Sequence, residues 1–503
     1  MIKRLFQNTT INLFGFIIIG FLNLVMMGQI INVWGINAYG FFILFRLLTP
    51  LGYLNVFDFG MIESNIRNVS YYKSSTKNIR EVGFIGLSYF IILGIIISLF
   101  IFIFGDQIFS LLGITNLQAD DYRTINNLVI FSALIQTPLF LMLYFESILK
   151  GYEQFKALRV LEIVTMLACI FLIYLFSLFD NTMERFLYAF YGLLLLKMLS
   201  LFLFIFKWYP NIFFIKLPSK KIKNDVFSHS STLGIGKFIS TTLDNFPIVM
   251  LSIVFGPAVS GIFDVIMRLP RYIKVIMGSV NTALIPYVSS LNDLDFSKTK
   301  EKIVSSATKY QIYFFIPFLV LCLIYSEQIL FFWIGDQYIN YTNEMQLCFI
   351  VPILISLIGA SSSSSMSNQK ILKKLNYINF LRLAIYFIIS FILINFMSLT
   401  AFIYANIISY IVSLILQIPI YIKNYDIKLA HLMGPFINCL LLSFVILYLS
   451  QYFIIKIYEI TLLSIILTLV INLLIIFTIL WKFGLSKIEK KFFYEHFFDL
   501  KNY

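Results

Sequence analysis

The stretch Val82–Phe104, VGFIGLSYFIILGIIISLFIFIF, contains no charged side chain from one end to the other. A bilayer with a hydrocarbon core of about 30 Å requires roughly 20 apolar residues of α-helix, so this stretch is long enough to cross it. Arg80 stands just before the stretch and Asp106 just after it, where the polar headgroup region would begin. The stretch therefore predicts a transmembrane helix.

The same pattern recurs along the whole chain of 503 residues, of which 60% are hydrophobic and 13% charged. With a mean hydropathy of +0.88, the composition leaves little material for a soluble domain. The sequence predicts an all-α, polytopic membrane protein with about fourteen transmembrane helices. The predicted spans are Thr9–Ile31, Tyr39–Ile62, Val82–Phe104, Thr124–Ile148, Val160–Phe179, Met183–Phe206, Val226–Val254, Val259–Val288, Ala307–Tyr325, Met345–Ser365, Leu375–Phe396, Leu399–Ile422, Leu429–Phe453 and Ile460–Trp481.

Lysine and arginine residues fall on alternate loops between these spans. One set of loops is rich in them, as are both ends of the chain, with Lys3-Arg4 and Lys490-Lys491. The intervening loops carry only Arg123, Arg185 and Lys456. Because cytoplasmic loops of membrane proteins are enriched in Lys and Arg, we expect both termini to be cytoplasmic.

The net charge of +13 is explained by this orientation signal and by attraction to anionic lipid headgroups. We therefore expect membrane lipids as partners, and no nucleic acid. The three histidines are scattered, so the sequence predicts no metal site. The cysteines lie in or beside apolar spans and are predicted to be small buried hydrophobic residues; they are Cys169, Cys322, Cys348 and Cys439.

An internal repeat is visible at an offset of 221 residues. The matched pairs are Gly15 with Gly236, Asn23 with Asp244, Gly35 with Gly256, Gly40 with Gly261, and Asp106 with Glu327. Six spans separate the two copies, so both copies have the same orientation in the membrane. We predict two pseudo-symmetric six-helix lobes, a basic cytoplasmic linker between them and two additional C-terminal helices. The predicted boundaries are residues 1–206, 207–225, 226–422 and 423–503.

Several short motifs accompany the repeat. They are Ala38-Tyr39-Gly40, Phe57-Asp58-Phe59-Gly60, Leu243-Asp244, Phe255-Gly256, and Ile285-Pro286 followed by Ser289 and Leu291. With these motifs the chain resembles the multidrug/oligosaccharidyl-lipid/polysaccharide exporter superfamily, and within it the bacterial polysaccharide flippases. The resemblance covers essentially the whole chain.

That resemblance implies a multi-pass protein of the bacterial cytoplasmic membrane that is a transporter and not an enzyme. The implied activity is translocation of a polyprenyl-pyrophosphate-linked oligosaccharide repeat unit by alternating access. The repeat unit would serve O-antigen, other lipopolysaccharide or capsule biosynthesis. A polysaccharide polymerase and the chain-length machinery are the implied protein partners.

Three basic residues at spacing i, i+3 and i+6 share one face of a predicted helix, with Asp264 close by in sequence. A charge at the centre of a membrane helix costs ~2.5–3.5 kcal/mol, so the cluster predicts a water-filled cavity that attracts anions. The alternative is that these side chains pair with Asp264 or extend toward the headgroups. The predicted cavity residues are Arg46, Lys237, Arg268, Arg271 and Lys274.

Four acidic residues are candidates for coupling transport to a proton or sodium ion, and no other cofactor is expected. They are Asp58, Glu146, Asp244 and Asp264. Pairing with neighbouring basic residues is the alternative for Asp58 and Glu146, and a salt bridge to Lys237 is the alternative for Asp244. Glycine and proline residues mark candidate bending positions in the spans; these are Gly28, Pro50, Pro247 and Pro270.

Other functions stay open at this point. A cation-coupled multidrug exporter of the same superfamily is disfavoured by the basic cluster, since its substrates are cationic. A lipid-linked peptidoglycan precursor flippase is not separated by the sequence. A polysaccharide polymerase would need a large external catalytic loop, and the longest external loops hold no acid/base pair with a nucleophile. The lack of a phosphate-binding glycine loop argues against direct ATP coupling.

Overall fold

The computed structural model describes residues 2–114, 122–179, 182–214, 216–282, 296–365, 369–425, 429–457, 462–487 and 489–490. Its described part is nearly all helical and contains no strand. The helices are α1 (Ile2–Leu47), α2 (Met61–Tyr72), α3 (Thr76–Leu111), α4 (Tyr122–Gly151), α5 (Phe155–Leu178), α6 (Met183–Trp208), α7 (Lys220–Phe255), α8 (Pro257–Thr282), α9 (Phe296–Ile324), α10 (Ser326–Ile334), α11 (Thr342–Cys348), α12 (Ile350–Ile355), α13 (Gly359–Ser365), α14 (Gln369–Leu393), α15 (Ser398–Tyr425), α16 (Leu429–Ile457) and α17 (Leu462–Ile479).

The long helices expose apolar side chains, as a lipid-facing surface requires. On α3, for example, Ile96 and Ile103 are 57% and 62% exposed, whereas Ile97 and Ile101 are buried. Among the described residues, 11 helices are long and apolar enough to cross a membrane, or up to 12 if one bent pair counts as a single span. The prediction of an all-α, polytopic membrane protein is confirmed.

The remaining predicted spans coincide with interrupted or charged helices. Tyr39–Ile62 is divided among the end of α1, a 3₁₀ segment at Tyr53–Asp58 and the start of α2. Val259–Val288 begins on α8, which carries four charged residues. Met345–Ser365 falls on α11 to α13, which contain a bend of 53°. The count of fourteen stays a prediction, and the Ile285-Pro286 motif lies outside the described residues.

Two glycines of the repeat interrupt their helices in the same way. Gly35 breaks α1 with φ 83° and ψ 173°, and Gly256 separates α7 from α8 with φ 89° and ψ 169°. Only glycine adopts this backbone conformation readily, because a Cβ atom would be strained at positive φ. The offset of 221 residues therefore relates two helix breaks of the same geometry.

A second repeat pair, Gly40 and Gly261, brings two helix backbones into contact. A Cβ atom added to Gly40 would lie 2.0 Å from the Pro257 carbonyl oxygen, and one on Gly261 would lie 3.1 Å from Gly40 Cα. Small residues allow such close approach of membrane helices. The second half of α1 is thereby packed directly against the first half of α8.

The chain forms two compact units, residues 1–268 with 379–405, and residues 269–378 with 406–503. The first unit has an aromatic core, in which the rings of Phe45 and Tyr191 lie 5.4 Å apart. In the second unit, Ser450 accepts a hydrogen bond from Asn472 Nδ2 at 2.8 Å, and its hydroxyl lies 3.1 Å from that of Tyr325. These two units divide the chain at other positions than the predicted lobes, residues 1–206 and 226–422, and the lobes stay a prediction.

The described part of the predicted linker is fixed to the first unit. The Ser219 N–H donates to Glu81 Oε2 at 2.9 Å. Ile212 is buried, and its carbonyl group approaches α3 closely at Gly83, which has no side chain to block it. At the linker's end the Tyr72 hydroxyl donates to Asp225 Oδ2 at 2.9 Å. Burial is the larger cause, and the Asp225 carboxylate the smaller cause, of a rise in the pKa of Tyr72 to about 12. The phenol therefore keeps its proton and remains a hydrogen-bond donor.

Candidate functional site

Asp264 of α8 is held by a tyrosine and an arginine inside the first unit. Tyr39 donates its hydroxyl to Asp264 Oδ2 at 2.6 Å, and Arg268 forms an ion pair with the same oxygen. Arg268 Nη2 also donates to the Tyr39 hydroxyl at 2.9 Å. Asp264 is 2% exposed, and a carboxylate this deeply buried is tolerated when it is paired and hydrogen-bonded. Asp264 and Tyr39 together fix the position of the Arg268 guanidinium group.

Arg271 and Lys274 follow on α8 at three and six residues after Arg268, and both are half-buried. Pro270 lies within the same helix. The pairing with Asp264 that the sequence offered as an alternative is therefore present for Arg268. Asp264 is the one acidic residue in the sequence of α8, so the helix carries an excess of basic residues.

Asp58 pairs with Lys237 across the boundary between the 3₁₀ segment and α7. Asp58 is fully buried, and its Oδ2 atom accepts a hydrogen bond from Lys237 Nζ at 2.7 Å. Lys237 Nζ also lies 3.5 Å from Glu63 Oε1. Lys237 thus bridges an acid of the 3₁₀ segment and an acid of α2. Asp244 lies half-buried on α7.

The backbone after Asp58 explains how this pair is positioned. Phe59 and Gly60 both adopt the left-handed conformation, with φ 49° and 77°. The turn presses against α7, because a Cβ atom on Gly60 would lie 2.7 Å from the Ser230 carbonyl oxygen. Ser230 Oγ in turn donates to the Phe59 carbonyl at 2.7 Å. This turn places Asp58 opposite α7 and within reach of Lys237.

Glu146 of α4 belongs to a separate buried charge pair. Its Oε1 atom accepts a hydrogen bond from Lys197 Nζ of α6 at 2.6 Å, and its Oε2 lies 3.7 Å from Lys150 Nζ. Glu146 and Lys197 are both less than a tenth exposed. The pairing alternative for Glu146 is therefore present, and the pair joins α4 to α6.

Arg46 lies half-buried in the last turn of α1, next to the break at Pro50. The carbonyl groups freed by this break have partners. Thr49 Oγ1 donates to the Arg46 carbonyl at 2.7 Å, and Gln136 Nε2 donates to the Leu48 carbonyl at 2.8 Å. Such compensation allows interrupted backbone at membrane depth.

The other candidate bending positions lie within helices. Pro247 is inside α7, Pro270 is inside α8, and Gly28 lies in helical backbone of α1. The non-helical residue of α1 is Gly35. Tyr39 and Glu63 were not among the site residues predicted from the sequence. Tyr39 immediately precedes the repeat glycine Gly40, and this position next to a repeated glycine is the feature of the sequence that could have identified it as a site residue.

Two solved structures share the fold of the chain at low sequence identity. A lipid II flippase MurJ in an inward closed conformation matches with a TM-score of 0.65 and 17% identity, covering 95% of this chain and 99% of that chain. An outward-facing multidrug resistance MATE transporter of the MOP superfamily matches with a TM-score of 0.61 and 14% identity, covering 84% and 96%. The chain therefore shares the helical membrane-protein fold of these two solved structures.

The family model "Polysaccharide biosynthesis protein" matches residues 5–292, and the chain belongs to that family. A Shigella flexneri protein whose name assigns it to O-antigen transport is 20% identical over 378 residues, covering 73% of this chain and 86% of that protein. The molecule is thus a multi-pass protein of the bacterial cytoplasmic membrane that belongs to the polysaccharide biosynthesis family.

Proposed function

We propose that the protein moves a polyprenyl-pyrophosphate-linked oligosaccharide repeat unit across the cytoplasmic membrane for surface polysaccharide biosynthesis. Membership of the polysaccharide biosynthesis family carries this proposal, since the matched residues 5–292 include α1 from its fourth residue and all of α2 to α8. That region holds both helix breaks, at Gly35 and Gly256, and all of the predicted cavity residues.

The chemistry of α8 fits the head of such a substrate. A pyrophosphate presents several anionic oxygens, which guanidinium and ammonium groups bind through charge-assisted hydrogen bonds. Arg268, Arg271 and Lys274 supply three such groups along one helix, and Asp264 with Tyr39 holds the first of them in place. In this proposal the anionic head passes through a cationic cavity while the lipid chain stays in the bilayer.

The helix breaks and buried pairs supply a means of alternating access. Glycine breaks are suited to change their dihedral angles as helices move. Asp58 with Lys237, and Asp264 with Arg268, are the pairs whose protonation could be linked to that movement. A proton or a sodium ion, bound at one of these acids, would be the coupling ion.

The second candidate is a lipid-linked peptidoglycan precursor, and the fold similarity to the lipid II flippase favours it. Both candidates predict an anionic, lipid-linked substrate. They differ in the strain that the protein should rescue, which is one lacking its polysaccharide flippase or one depleted of its peptidoglycan-precursor flippase. If the protein rescued only the strain depleted of its peptidoglycan-precursor flippase, the polysaccharide proposal would be wrong and the peptidoglycan precursor would replace it as the substrate.

The cationic cavity is tested by complementing a polysaccharide-flippase-null strain with an Arg271→Gln, Lys274→Gln variant. Arg268 is left intact because its loss would also break a buried ion pair. We expect most surface polysaccharide to be lost, and Arg271→Lys alone to retain part of it, because lysine keeps the charge but lacks the bidentate geometry.

The matched control is Lys373→Gln, Lys374→Gln, which removes two charges at exposed positions of α14. It should complement fully when its membrane level equals that of the wild type. If the Arg271→Gln, Lys274→Gln variant also complements fully at a normal membrane level, the cationic-cavity mechanism is wrong.

A further inference from the structure

A groove with a volume of about 550 Å³ lies between α5 and α6, apart from the site described above. Val160 and Val164 line it from α5, and Leu201 and Phe204 line it from α6. Val160 and Val164 are 52% and 55% exposed, so the groove opens toward the surroundings of the first unit. At membrane depth those surroundings are lipid.

The polar groups along the groove are already hydrogen-bonded within the protein. Ser200 Oγ donates to the Leu196 carbonyl at 2.8 Å, and Gln154 Nε2 donates to the Tyr209 hydroxyl at 2.7 Å. The body of the groove therefore presents carbon, which suits a hydrocarbon chain better than water.

One lysine lines an end of this groove, and a second lysine lies further along the α6 helix that forms its other wall. Lys156 lines it in the first turn of α5 and is exposed. Lys207 stands near the end of α6, seven residues after Ser200 and three after Phe204, which places it on the helix face that lines the groove. Lys207 is also exposed, and its Nζ atom lies 5.7 Å from the ring of Trp208.

The charged end of the groove coincides with the predicted cytoplasmic membrane surface. α5 begins at Phe155 and α6 ends at Trp208, both on the side that the basic loops identify as cytoplasmic. Tryptophan beside lysine is typical of the membrane–water interface. The lysine ammonium groups would meet lipid phosphates there, while their alkyl chains lie along the apolar walls.

We propose that this groove binds an anionic glycerophospholipid of the cytoplasmic leaflet. One acyl chain lies between α5 and α6, and the phosphodiester is bound by Lys156 and Lys207. The site uses the α4–α6 part of the first unit and shares no residue with the predicted cationic cavity. Lipid binding there would stabilise this helix bundle and would not require the proposed transport activity.

The test is native mass spectrometry of the delipidated full-length protein titrated with phosphatidylglycerol or with phosphatidylcholine of the same acyl chains. The wild type should retain phosphatidylglycerol more tightly. Each lysine near an anionic headgroup contributes about fivefold in affinity. We therefore expect the Lys156→Gln, Lys207→Gln variant to bind phosphatidylglycerol about 25-fold more weakly, with phosphatidylcholine binding unchanged.

Two further variants distinguish binding of a lipid in the groove from non-specific attraction of anionic lipids to surface lysines. Lys373→Gln, Lys374→Gln removes the same charge elsewhere and should bind phosphatidylglycerol as the wild type does. Val164→Trp keeps both lysines, fills the groove at an exposed position and should weaken binding of both lipids.

Three results would overturn the proposal. The first is equal affinity of the wild type for the two lipids. The second is weakening by the Lys373→Gln, Lys374→Gln control as large as that by the groove lysines. The third is unchanged binding by Val164→Trp. Size-exclusion profiles identify any misfolded variant, and single Lys156→Gln then replaces the double variant, with about a fivefold loss expected.

Discussion

Buried carboxylates in this protein lie next to basic partners. Asp58 contacts Lys237, Glu146 contacts Lys197, and Asp264 contacts Arg268. Removing one member of a buried pair lowers the free energy of unfolding by more than the intact pair contributes to it, because the remaining charge is buried without compensation. These residues therefore bear on stability as well as on any coupling role, and assays of transport must separate the two effects.

Asp264→Asn should lower the free energy of unfolding by about 3–5 kcal/mol, because Arg268 is left without its carboxylate in a buried site. Tyr39→Phe removes a hydrogen bond to a charged group and should cost about 1.5–3 kcal/mol. Thermal unfolding of the purified protein in detergent measures both. The double variant Asp264→Asn, Arg268→Gln should recover part of the loss; an Asp264→Asn protein as stable as the wild type would show that the pair is unimportant.

The sequence revealed those parts of the site that lie close together along the chain. Asp264 and Arg268 are four residues apart on one helix, so their pairing followed from helix geometry. Lys237 and Asp58 are separated by 179 residues, and Tyr39 and Asp264 by 225. A single sequence does not say which helices are neighbours, so the acid on the same helix, Asp244, was the one partner that the sequence offered for Lys237, as an alternative to a cavity role.

At the scale of helices, the repeat identified the important glycines, whereas composition did not. Gly28 and Gly35 stand in the same apolar stretch, and only the latter is matched by a glycine at the repeat offset. The break itself is set by backbone dihedral angles, which an apolar composition does not reveal. For the same reason, Tyr39–Ile62 was predicted as one span although the chain turns between Leu48 and Gly60.

Gly35→Ala and Gly256→Ala should each destabilise the protein by about 1–3 kcal/mol, because this region of backbone conformation is essentially confined to glycine. Neither site has an atom within 4 Å of the added Cβ, so crowding does not contribute. The two effects should be similar, since the dihedral angles are nearly equal.

Gly192→Ala is the matched control for these variants. Gly192 also has no atom within 4 Å of an added Cβ, but it lies in the regular helix α6. Alanine there should be neutral or stabilising by up to about 1 kcal/mol. Thermal unfolding of the three variants side by side decides the matter, and unfolding midpoints that fall equally would contradict a dihedral origin.

For the whole molecule, the fold class could be predicted because apolar length is a local property of the sequence. The number of spans is harder, because the helix that bears the basic cluster is one of those that an apolarity criterion misses. Its charges, at Arg268, Arg271 and Lys274, lower the apolarity of α8, and the same charges mark it as the helix of functional interest. A count that excludes helices with several charged residues therefore omits the helix to which the cationic cavity is assigned in our proposal.

Orientation depends on the span count and can be measured independently of it. Reporters joined to the chain truncated after Asp121, Lys221 or Lys374 should report external, cytoplasmic and cytoplasmic locations, respectively. These sites were chosen because one miscounted span would invert each later loop, so Lys221 and Lys374 must agree with each other and differ from Asp121. Alkaline phosphatase is active outside the cytoplasmic membrane and a fluorescent protein inside it, so each site is scored twice. Like signals at Asp121 and Lys221 would mean that the first six predicted spans are wrong, whereas a reversal confined to Lys374 would place the error between α7 and α14.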